Sequence, residues 1–381
     1  MIPFIDLQTQ FKALEKEIRA RVDTVFEHCR FIMGPEVKEL EEKLAEFTGA
    51  RHCVACSSGT DALLLALMAL DVGPGDAVLT TPFTFVATAE AVALVGAVPV
   101  FVDIDPETFN MDPAELEKAV NAFQKNDSST YPLPRGSENL TLKGIITVDL
   151  FGLPCDYGPI RSLAREHGFF IIEDAAQAFG AKYKQETAPC LGDIGCASFF
   201  PAKPLGCYGD GGAVFTGNSD LTEKMVSIRV HGQGRDRYDN ARIGLNARMD
   251  TLQAAVLLPK LAVYAQEIKE RQRVADTYAG FFKSSPLIRA PHVPDGYQSV
   301  WAQYSVLSDN REEIQSALKA AGVPTAVYYP KPLHLQSAFH FLDYAQGDMP
   351  VSEHCAGRIF SLPMHPYLTE DVIQKIVGVM S

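Results

Sequence analysis

The first 250 residues alternate short apolar runs with segments whose apolar residues recur at helical spacing. Apolar runs stand at 53–56, 99–104 and 168–174, and helical spacing marks segments such as 61–70 and 113–123. Strands that alternate with helices of ten or more residues predict βαβ units. We therefore expect an α/β core with a mostly parallel central sheet and helices on both faces.

Helical spacing also marks 13–30 and 36–47, and a long helix is predicted to begin near residue 250. These patterns predict an N-terminal arm and helix at 1–33, a large α/β domain at 34–250 and a smaller α+β domain at 251–381 that opens with the long helix. Pro259 is expected to kink or divide that helix. The segment 124–142, rich in Ser, Asn and Pro, is interpreted as a surface insertion.

Composition and charge exclude several classes of protein. The chain has 34 Lys and Arg residues and 47 Asp and Glu residues, and the resulting net charge of −13 argues against nucleic-acid binding. No apolar run reaches the roughly 18 residues that cross a membrane, and the N-terminus lacks the apolar region of a signal peptide. Eight cysteines without scaffold spacing indicate free thiols in the cytoplasm, and Cys53-x-x-Cys56 lacks the second pair of a zinc site. No metal is expected.

Candidate chemistry lies where polar residues follow apolar runs, because ligands of open α/β sheets bind at the carboxyl ends of the strands. The loop 56–61, Cys-Ser-Ser-Gly-Thr-Asp, precedes a predicted helix. Small residues at a helix N-terminus offer N–H and hydroxyl donors to a phosphate. Plain N-capping by Ser, Thr or Asp is the alternative.

Two charged residues complete a pattern. Asp174 ends a buried strand, where a carboxylate needs a cationic partner, although a cap or salt bridge is the alternative. Lys203 lies among aromatic, proline and glycine residues, and desolvation there would lower its pKa as an imine-forming lysine requires. A snorkelling surface lysine is the alternative. A phosphate cup, an acid and a desolvated lysine together indicate pyridoxal 5′-phosphate (PLP).

Six motifs resemble the DegT/DnrJ/EryC1/StrS aminotransferases. They are SGTDAL (58–63), FTFVAT (83–88), EDAAQ (173–177), SFFPAKPLG (198–206), GDGGA (209–213) and GLNARMD (244–250). The resemblance covers nearly the whole chain except 124–142. It implies fold-type I PLP enzymes that aminate nucleotide-linked keto-sugars, with the cofactor cycling through pyridoxamine phosphate.

The resemblance also implies roles for individual residues. Lys203 would hold the cofactor and act as acid and base, and Asp174 would pair with the pyridinium nitrogen. The other implied cofactor contacts are Gly59, Thr60 and Ser198 at the phosphate, Gln177 near the ring hydroxyl and Phe85 on the ring face. Asn246 would reach the phosphate of a neighbouring subunit, which implies a homodimer with shared active sites.

A narrower resemblance concerns the substrate. IDL at 5–7, GPEV at 34–37 and LPMHPY at 362–367 resemble the aminotransferases that convert UDP-2-acetamido-2-deoxy-3-oxo-glucuronate for O-antigen. L-Glutamate is the expected donor, and amination of a neutral 3-keto or 4-keto sugar is the alternative. Arg248 matches a position close to the sugar.

The pocket sequence departs from many relatives at one place. They have His-Tyr-Pro where this chain has Tyr328-Tyr329-Pro330, and tyrosine offers no positive charge to a carboxylate. Nearby His334 is expected to compensate, with a surface histidine as the alternative. The five arginines between 229 and 248 suit a diphosphate or carboxylate, or else form a solvated charged loop: Arg229, Arg235, Arg237, Arg242 and Arg248.

Overall fold

The computed structural model describes residues 2–236 and 238–380. Its strands are β1 (His52–Cys56), β2 (Asp76–Thr80), β3 (Val98–Phe101), β4 (Thr141–Val148), β5 (Phe170–Asp174), β6 (Lys182–Tyr183), β7 (Glu186–Thr187), β8 (Ile194–Ser198), β9 (Gly212–Thr216), β10 (Tyr297–Gln298), β11 (Tyr304–Leu307) and β12 (Ile359–Leu362). Within the described residues, seven of them form the central sheet in the order β1-β9-β8-β5-β4-β2-β3. β9 runs antiparallel to both of its neighbours, and the remaining pairs are parallel.

Helices cover both faces of this sheet. They are α1 (Leu7–His28), α2 (Pro35–Thr48), α3 (Gly59–Ala69), α4 (Ala87–Leu94), α5 (Pro113–Lys125), α6 (Tyr157–His167), α7 (Ser219–Ile228), α8 (Thr251–Phe282), α9 (Arg311–Ala320), α10 (Pro350–Arg358) and α11 (Glu370–Gly378). One apolar cluster joins α2, α5, α6 and α8 to the sheet, and a second joins α3, α4 and α7 to it. The expected α/β fold with a mostly parallel, doubly covered sheet is confirmed.

The C-terminal part of the chain has a core of its own. The second half of α8, the antiparallel pair β11 and β12, and helices α9 and α11 contribute to a third apolar cluster. The N-terminal helix α1 packs on α8 through Leu14, Ile18 and Val256.

The long helix α8 passes through Pro259 undivided, so the expectation that Pro259 divides it is wrong. Proline removes one backbone hydrogen bond from a helix. Residues on both sides of it, including Leu257, Leu258 and Leu261, are buried against the sheet. This packing holds the helix together across the missing hydrogen bond.

The segment 124–142 is partly packed instead of lying wholly on the surface. Tyr131 is buried, and its hydroxyl accepts a hydrogen bond from the Asp103 backbone N–H at 3.0 Å. The Arg135 N–H donates to the Leu342 carbonyl at 2.9 Å. The segment therefore ties the end of β3 to residues near 342. Among the described residues, no helix is long and apolar enough to cross a membrane.

Candidate active site

The N-terminus of α3 lies against the end of β8. Ser58 caps the helix by accepting a hydrogen bond from the Asp61 N–H at 3.0 Å, so N-capping does occur in this loop. A Cβ atom on Gly59 would stand only 2.7 Å from Cβ of Ser198. Glycine thus lets Gly59, Thr60 and Ser198 converge, and the first N–H groups of a helix are free of intrahelical acceptors. The convergence provides donors for a phosphate.

Asp174 ends β5 with its carboxyl group buried. One oxygen accepts a hydrogen bond from the Thr88 hydroxyl at 2.8 Å, and the other accepts from the Ala176 N–H at 3.2 Å. Burial raises the pKa of Asp174, while the two hydrogen bonds and the charge of Lys203 lower it. A cation beside this carboxyl would favour its ionised form.

Lys203 lies in a tight turn after β8, with its N–H donating to the Phe200 carbonyl at 2.8 Å. The side chain is half-buried. Burial lowers the pKa of the Lys203 ammonium, and the nearby Asp174 carboxylate raises it. The structure therefore brings the predicted lysine and acid together, and it favours an amine that loses its proton more readily than a surface lysine does.

Gln177, Tyr329 and Phe85 form one wall beside Asp174. The Gln177 amide donates to the Tyr329 hydroxyl at 3.1 Å, and its oxygen accepts from the Phe151 N–H at 2.8 Å. The ring centroids of Phe85 and Tyr329 are 6.4 Å apart. Phe85 keeps 55% of its surface exposed, which leaves one ring face free for a flat ligand.

Tyr328 is half-buried and packs against Phe4, with ring centroids 6.5 Å apart. Burial raises the pKa of the Tyr328 hydroxyl and of Tyr329. Both side chains therefore stay neutral at physiological pH and can serve as hydrogen-bond donors or acceptors.

Asn246 and Arg248 lie together on the segment before α8. The Arg248 guanidinium donates to the Asn246 side-chain oxygen at 2.9 Å, and Asn246 is exposed. The carbonyl of Ala247, between them, accepts from the Ser57 N–H at 3.2 Å. This segment therefore borders the loop 56–61, the candidate phosphate site, with Arg248 available to an anionic ligand.

Arg229 has a structural place that the cluster of arginines did not predict. Its guanidinium is buried, bonded to Glu41 at 2.6 Å and to the Ala55 carbonyl at 2.7 Å. It ties α7 to α2 and β1 and is not free to bind a substrate. Arg235 and Arg242 are both exposed, and Arg237 lies outside the described residues.

The expectation that His334 contacts the sugar needs correction, and so does the alternative of a surface histidine. The His334 side chain has no exposed surface, and its Nε2 lies 3.1 Å from a Glu353 carboxylate oxygen. Its ring packs edge-on against Phe101 and Tyr344. Burial lowers the pKa of His334. A buried, mostly neutral ring cannot give a positive charge to a substrate carboxylate.

Sequence reasoning missed two residues that support the site. Thr88 belongs to the FTFVAT motif, yet nothing in the motif reveals that its hydroxyl meets Asp174. Lys260 of α8 is buried, and its ammonium donates to the Gly206 carbonyl in the turn that carries Lys203. Burial lowers the pKa of Lys260 to about 8. A buried cation inside a helix leaves no distinct signal in the sequence.

These residues fit PLP. The donors around Gly59 suit the phosphate, the Asp174 carboxylate suits a protonated ring nitrogen, and Lys203 suits the aldehyde. The exposed face of Phe85 suits the ring itself.

Comparisons with known proteins agree with this geometry. The profile of the DegT/DnrJ/EryC1/StrS aminotransferase family matches residues 12–381. The UDP-2-acetamido-2-deoxy-3-oxo-D-glucuronate aminotransferase of Pseudomonas aeruginosa is 48% identical over 381 residues, which cover 100% of both chains. The UDP-N-acetyl-3-dehydro-alpha-D-glucosamine 3-aminotransferase of Acidithiobacillus ferrooxidans is 41% identical over 100% of this chain and 97% of its own.

A solved structure is similar over the same length. The crystal structure of a DegT/DnrJ/EryC1/StrS aminotransferase from Brucella abortus superposes with a TM-score of 0.94 at 48% identity. The superposition covers 100% of this chain and 98% of that one.

Proposed function

Because the chain belongs to the DegT/DnrJ/EryC1/StrS aminotransferase family, we propose that it is a PLP-dependent transaminase of UDP-linked keto-sugars. In this proposal L-glutamate gives its amino group to the C3 keto group of UDP-2-acetamido-2-deoxy-3-oxo-glucuronate. The product would serve bacterial surface polysaccharide, such as O-antigen. The carrying observation is the buried Asp174 beside the half-buried Lys203, in a chain that aligns end to end with an enzyme named for that sugar.

The side chains divide the work by their chemistry. When bound, PLP withdraws electrons from the carbon that carries the amino group and stores that group between the two halves of the reaction. The Asp174 carboxylate, which accepts a hydrogen bond from Thr88, would hold the ring nitrogen protonated. Lys203 Nζ, with its lowered pKa, would remove a proton from the donor's Cα and deliver it to the cofactor carbon on the other side of the amino nitrogen.

Binding falls to the surrounding residues. Gly59, Thr60 and Ser198 hold the phosphate, while Phe85 covers one face of the ring and Gln177 lies near the ring hydroxyl. Tyr328 and Tyr329 line the side from which the sugar enters, and they position it by hydrogen bonds from neutral hydroxyls. Arg248 is placed to bind the negative charge of the diphosphate or carboxylate.

A homodimer belongs to the proposal. Large apolar side chains are exposed on α1 and in the segment that follows it, and on the loop before α8, as at Phe26, Ile32 and Ile243. Where such side chains form a contiguous patch, they favour association. Asn246, exposed beside the loop at Ser57, is available to a second subunit. The eight cysteines carry free thiols, which suits a cytoplasmic location.

The cofactor spectrum tests the substrate. The PLP-loaded protein is first converted by L-glutamate to the pyridoxamine phosphate form, and L-glutamine is tried in parallel. Either the UDP-linked 3-oxo-glucuronate or the matching neutral UDP-linked 3-keto or 4-keto sugar is then added. Return of the original absorbance with the acidic sugar alone is expected. Return of this absorbance with the neutral sugar alone would support the amination reaction and contradict the proposal of an acidic sugar substrate. The neutral side chain of Tyr328 would then explain why a sugar without a carboxylate is accepted.

A further inference from the structure

Two buried carboxyl groups lie behind Asp174, and the reaction does not use them. Asp149 follows β4, and Glu173 precedes Asp174 on β5. Both side chains lack exposed surface. Val148 and Asp174 are register partners on the adjacent strands, so the strand ends carry the two carboxyl groups side by side.

Each carboxyl group has one oxygen that is fully bonded. An Asp149 oxygen accepts from the Cys155 N–H at 2.9 Å and from the Tyr157 hydroxyl at 3.0 Å. A Glu173 oxygen accepts from the Leu191 N–H at 2.6 Å and from the Gly192 N–H at 3.3 Å.

The second oxygen of each group finds no N–H or O–H donor among the described residues. The two side chains are instead in hydrogen-bonding contact with each other. Two ionised carboxylates are acceptors only and repel each other, so such a contact requires a proton between them. An unpaired second charge at this depth would be strongly destabilising.

Among the residues that the structure describes, no nearby cation replaces that proton. Arg161 of α6 is the cation that acts on Glu173, but its guanidinium is engaged with Glu186 at 2.7 and 2.8 Å and with the Leu191 carbonyl. The titratable and charged groups that face the pair are Asp174, Cys155, Tyr157, Arg161, Cys190 and Cys196.

We propose that Asp149 and Glu173 share a single proton, so that the pair carries one negative charge behind Asp174 and positions it. The Asp149 N–H donates to the Asp174 carbonyl at 3.0 Å, which connects the pair directly to the backbone of the acid. Two residues further along the chain, the Phe151 N–H donates to the Gln177 side-chain oxygen. The shared proton therefore fixes the two strand ends from which the predicted cofactor contacts project. Its existence is independent of the proposed function, whereas its role toward Asp174 rests on it.

Burial raises the pKa of Asp149 to about 7 and that of Glu173 well above its usual range. The folded protein then keeps a proton that the unfolded chain releases at lower pH. The contribution of this pair to the free energy of unfolding therefore falls as pH rises from about 5 toward 8, because the pair binds more protons in the folded state than in the unfolded state.

Amide variants of the cofactor-free protein test the shared proton. In Glu173→Gln or Asp149→Asn the amide N–H makes the same hydrogen bond permanently. Denaturant unfolding between pH 5 and 8 should then show a pH dependence smaller than that of the wild type by one proton per chain. Glu166→Gln, on the exposed surface of α6, should keep the wild-type dependence. Equal slopes in all the proteins would overturn the proposal.

An infrared measurement covers the case in which an amide variant fails to fold. The cofactor-free protein at neutral pH should show the C=O stretch of a protonated carboxylic acid. This band should persist in Asp174→Asn, which removes Asp174 as its source. Its absence there would overturn the proposal without reference to any activity.

The positioning role has its own readout. Each single amide variant keeps one negative charge behind Asp174, and the double variant Asp149→Asn with Glu173→Gln keeps none. With PLP bound, the pH midpoint of the cofactor absorbance should be near wild type in each single variant and lower in the double variant. An unchanged midpoint in the double variant would remove the positioning role and leave both the shared proton and the transaminase proposal standing.

Discussion

Thr88 lowers the pKa of the buried Asp174 through one hydrogen bond of 2.8 Å. Thr88→Val removes the hydroxyl but keeps the shape of the side chain, so the pKa of the buried Asp174 should rise. Leaving a buried acceptor unsatisfied costs about 1–3 kcal/mol. We expect a loss of this size in the free energy of unfolding of the cofactor-free protein at pH 7, measured by urea denaturation.

Thr88→Ser is the matched control, because it retains the hydroxyl that donates to Asp174. It should preserve the resistance of the wild type to urea far better than the valine variant. Equal loss in the two variants would assign the effect to packing and not to the hydrogen bond.

Single residues were predictable from the sequence where chemistry alone selects them. Asp174 at the end of an apolar run and Lys203 among aromatic residues are in this group, and the structure brings them together. His334 and Arg229 were not, because their roles depend on Glu353 and Glu41, partners distant in sequence. The residue type alone does not show whether a charged side chain faces a ligand or a buried counter-ion.

At the level of elements, the close approach of α3 to β8 depends on Gly59. In Gly59→Ala the new Cβ would lie 2.7 Å from Ser198 Cβ, so the helix must shift away from the strand. Overpacking of this kind costs about 1–3 kcal/mol. We expect lower stability in denaturant and weaker binding of PLP in a fluorescence titration.

Gly280→Ala in α8 is the matched control, since its Cβ would meet nothing within 4 Å. Alanine in a helix is more favourable than glycine by about 0.5–1 kcal/mol, so this variant should be at least as stable as the wild type. If both alanine variants bind PLP like the wild type, Gly59 has no special place at the phosphate site.

Elements were predicted well where periodicity is strong and less well where packing decides. The apolar runs 53–56, 99–104 and 168–174 each contain or overlap a strand of the central sheet. Pro259 remained inside α8 because buried neighbours stabilise the helix. The segment 124–142 has no periodicity, yet Tyr131 anchors it through a contact with Asp103 that no local pattern reveals.

At the scale of the whole molecule, the proposed dimer makes a prediction about shared sites. Subunits with Lys203→Ala are mixed with subunits with Asn246→Ala, each inactive or nearly so alone. If Asn246 serves the neighbouring subunit, each hybrid dimer has one site with both residues intact. Random pairing should then restore about a quarter of the wild-type activity.

The competing arrangement has Asn246 serve its own chain, since the adjacent Ala247 contacts Ser57. Every site in a hybrid dimer would then lack one of the two residues, and mixing would restore nothing. An affinity tag on one variant, with recovery of the untagged variant alongside it, confirms that subunits have exchanged before the activity is read.

The order of the strands in the central sheet could not be predicted from the sequence. The run of strands predicted a parallel sheet, but the order β1-β9-β8-β5-β4-β2-β3 and the antiparallel β9 arise from pairings between distant segments. The contact of Asp149 with Glu173 depends on this order, because it places β4 beside β5 in register. Contacts between buried side chains of different strands could therefore be identified only from the structure.

The identity of the lysine that binds the cofactor is the most direct test of the proposed transaminase chemistry. The PLP-loaded protein is treated with borohydride, which reduces the C=N bond to the lysine to a stable C–N single bond, and the modified peptide is identified by mass spectrometry. The adduct is expected on Lys203, and it should be absent in Lys203→Ala. An adduct on any other lysine would contradict the assignment of Lys203, and this includes Lys260, which is buried and also has a lowered pKa.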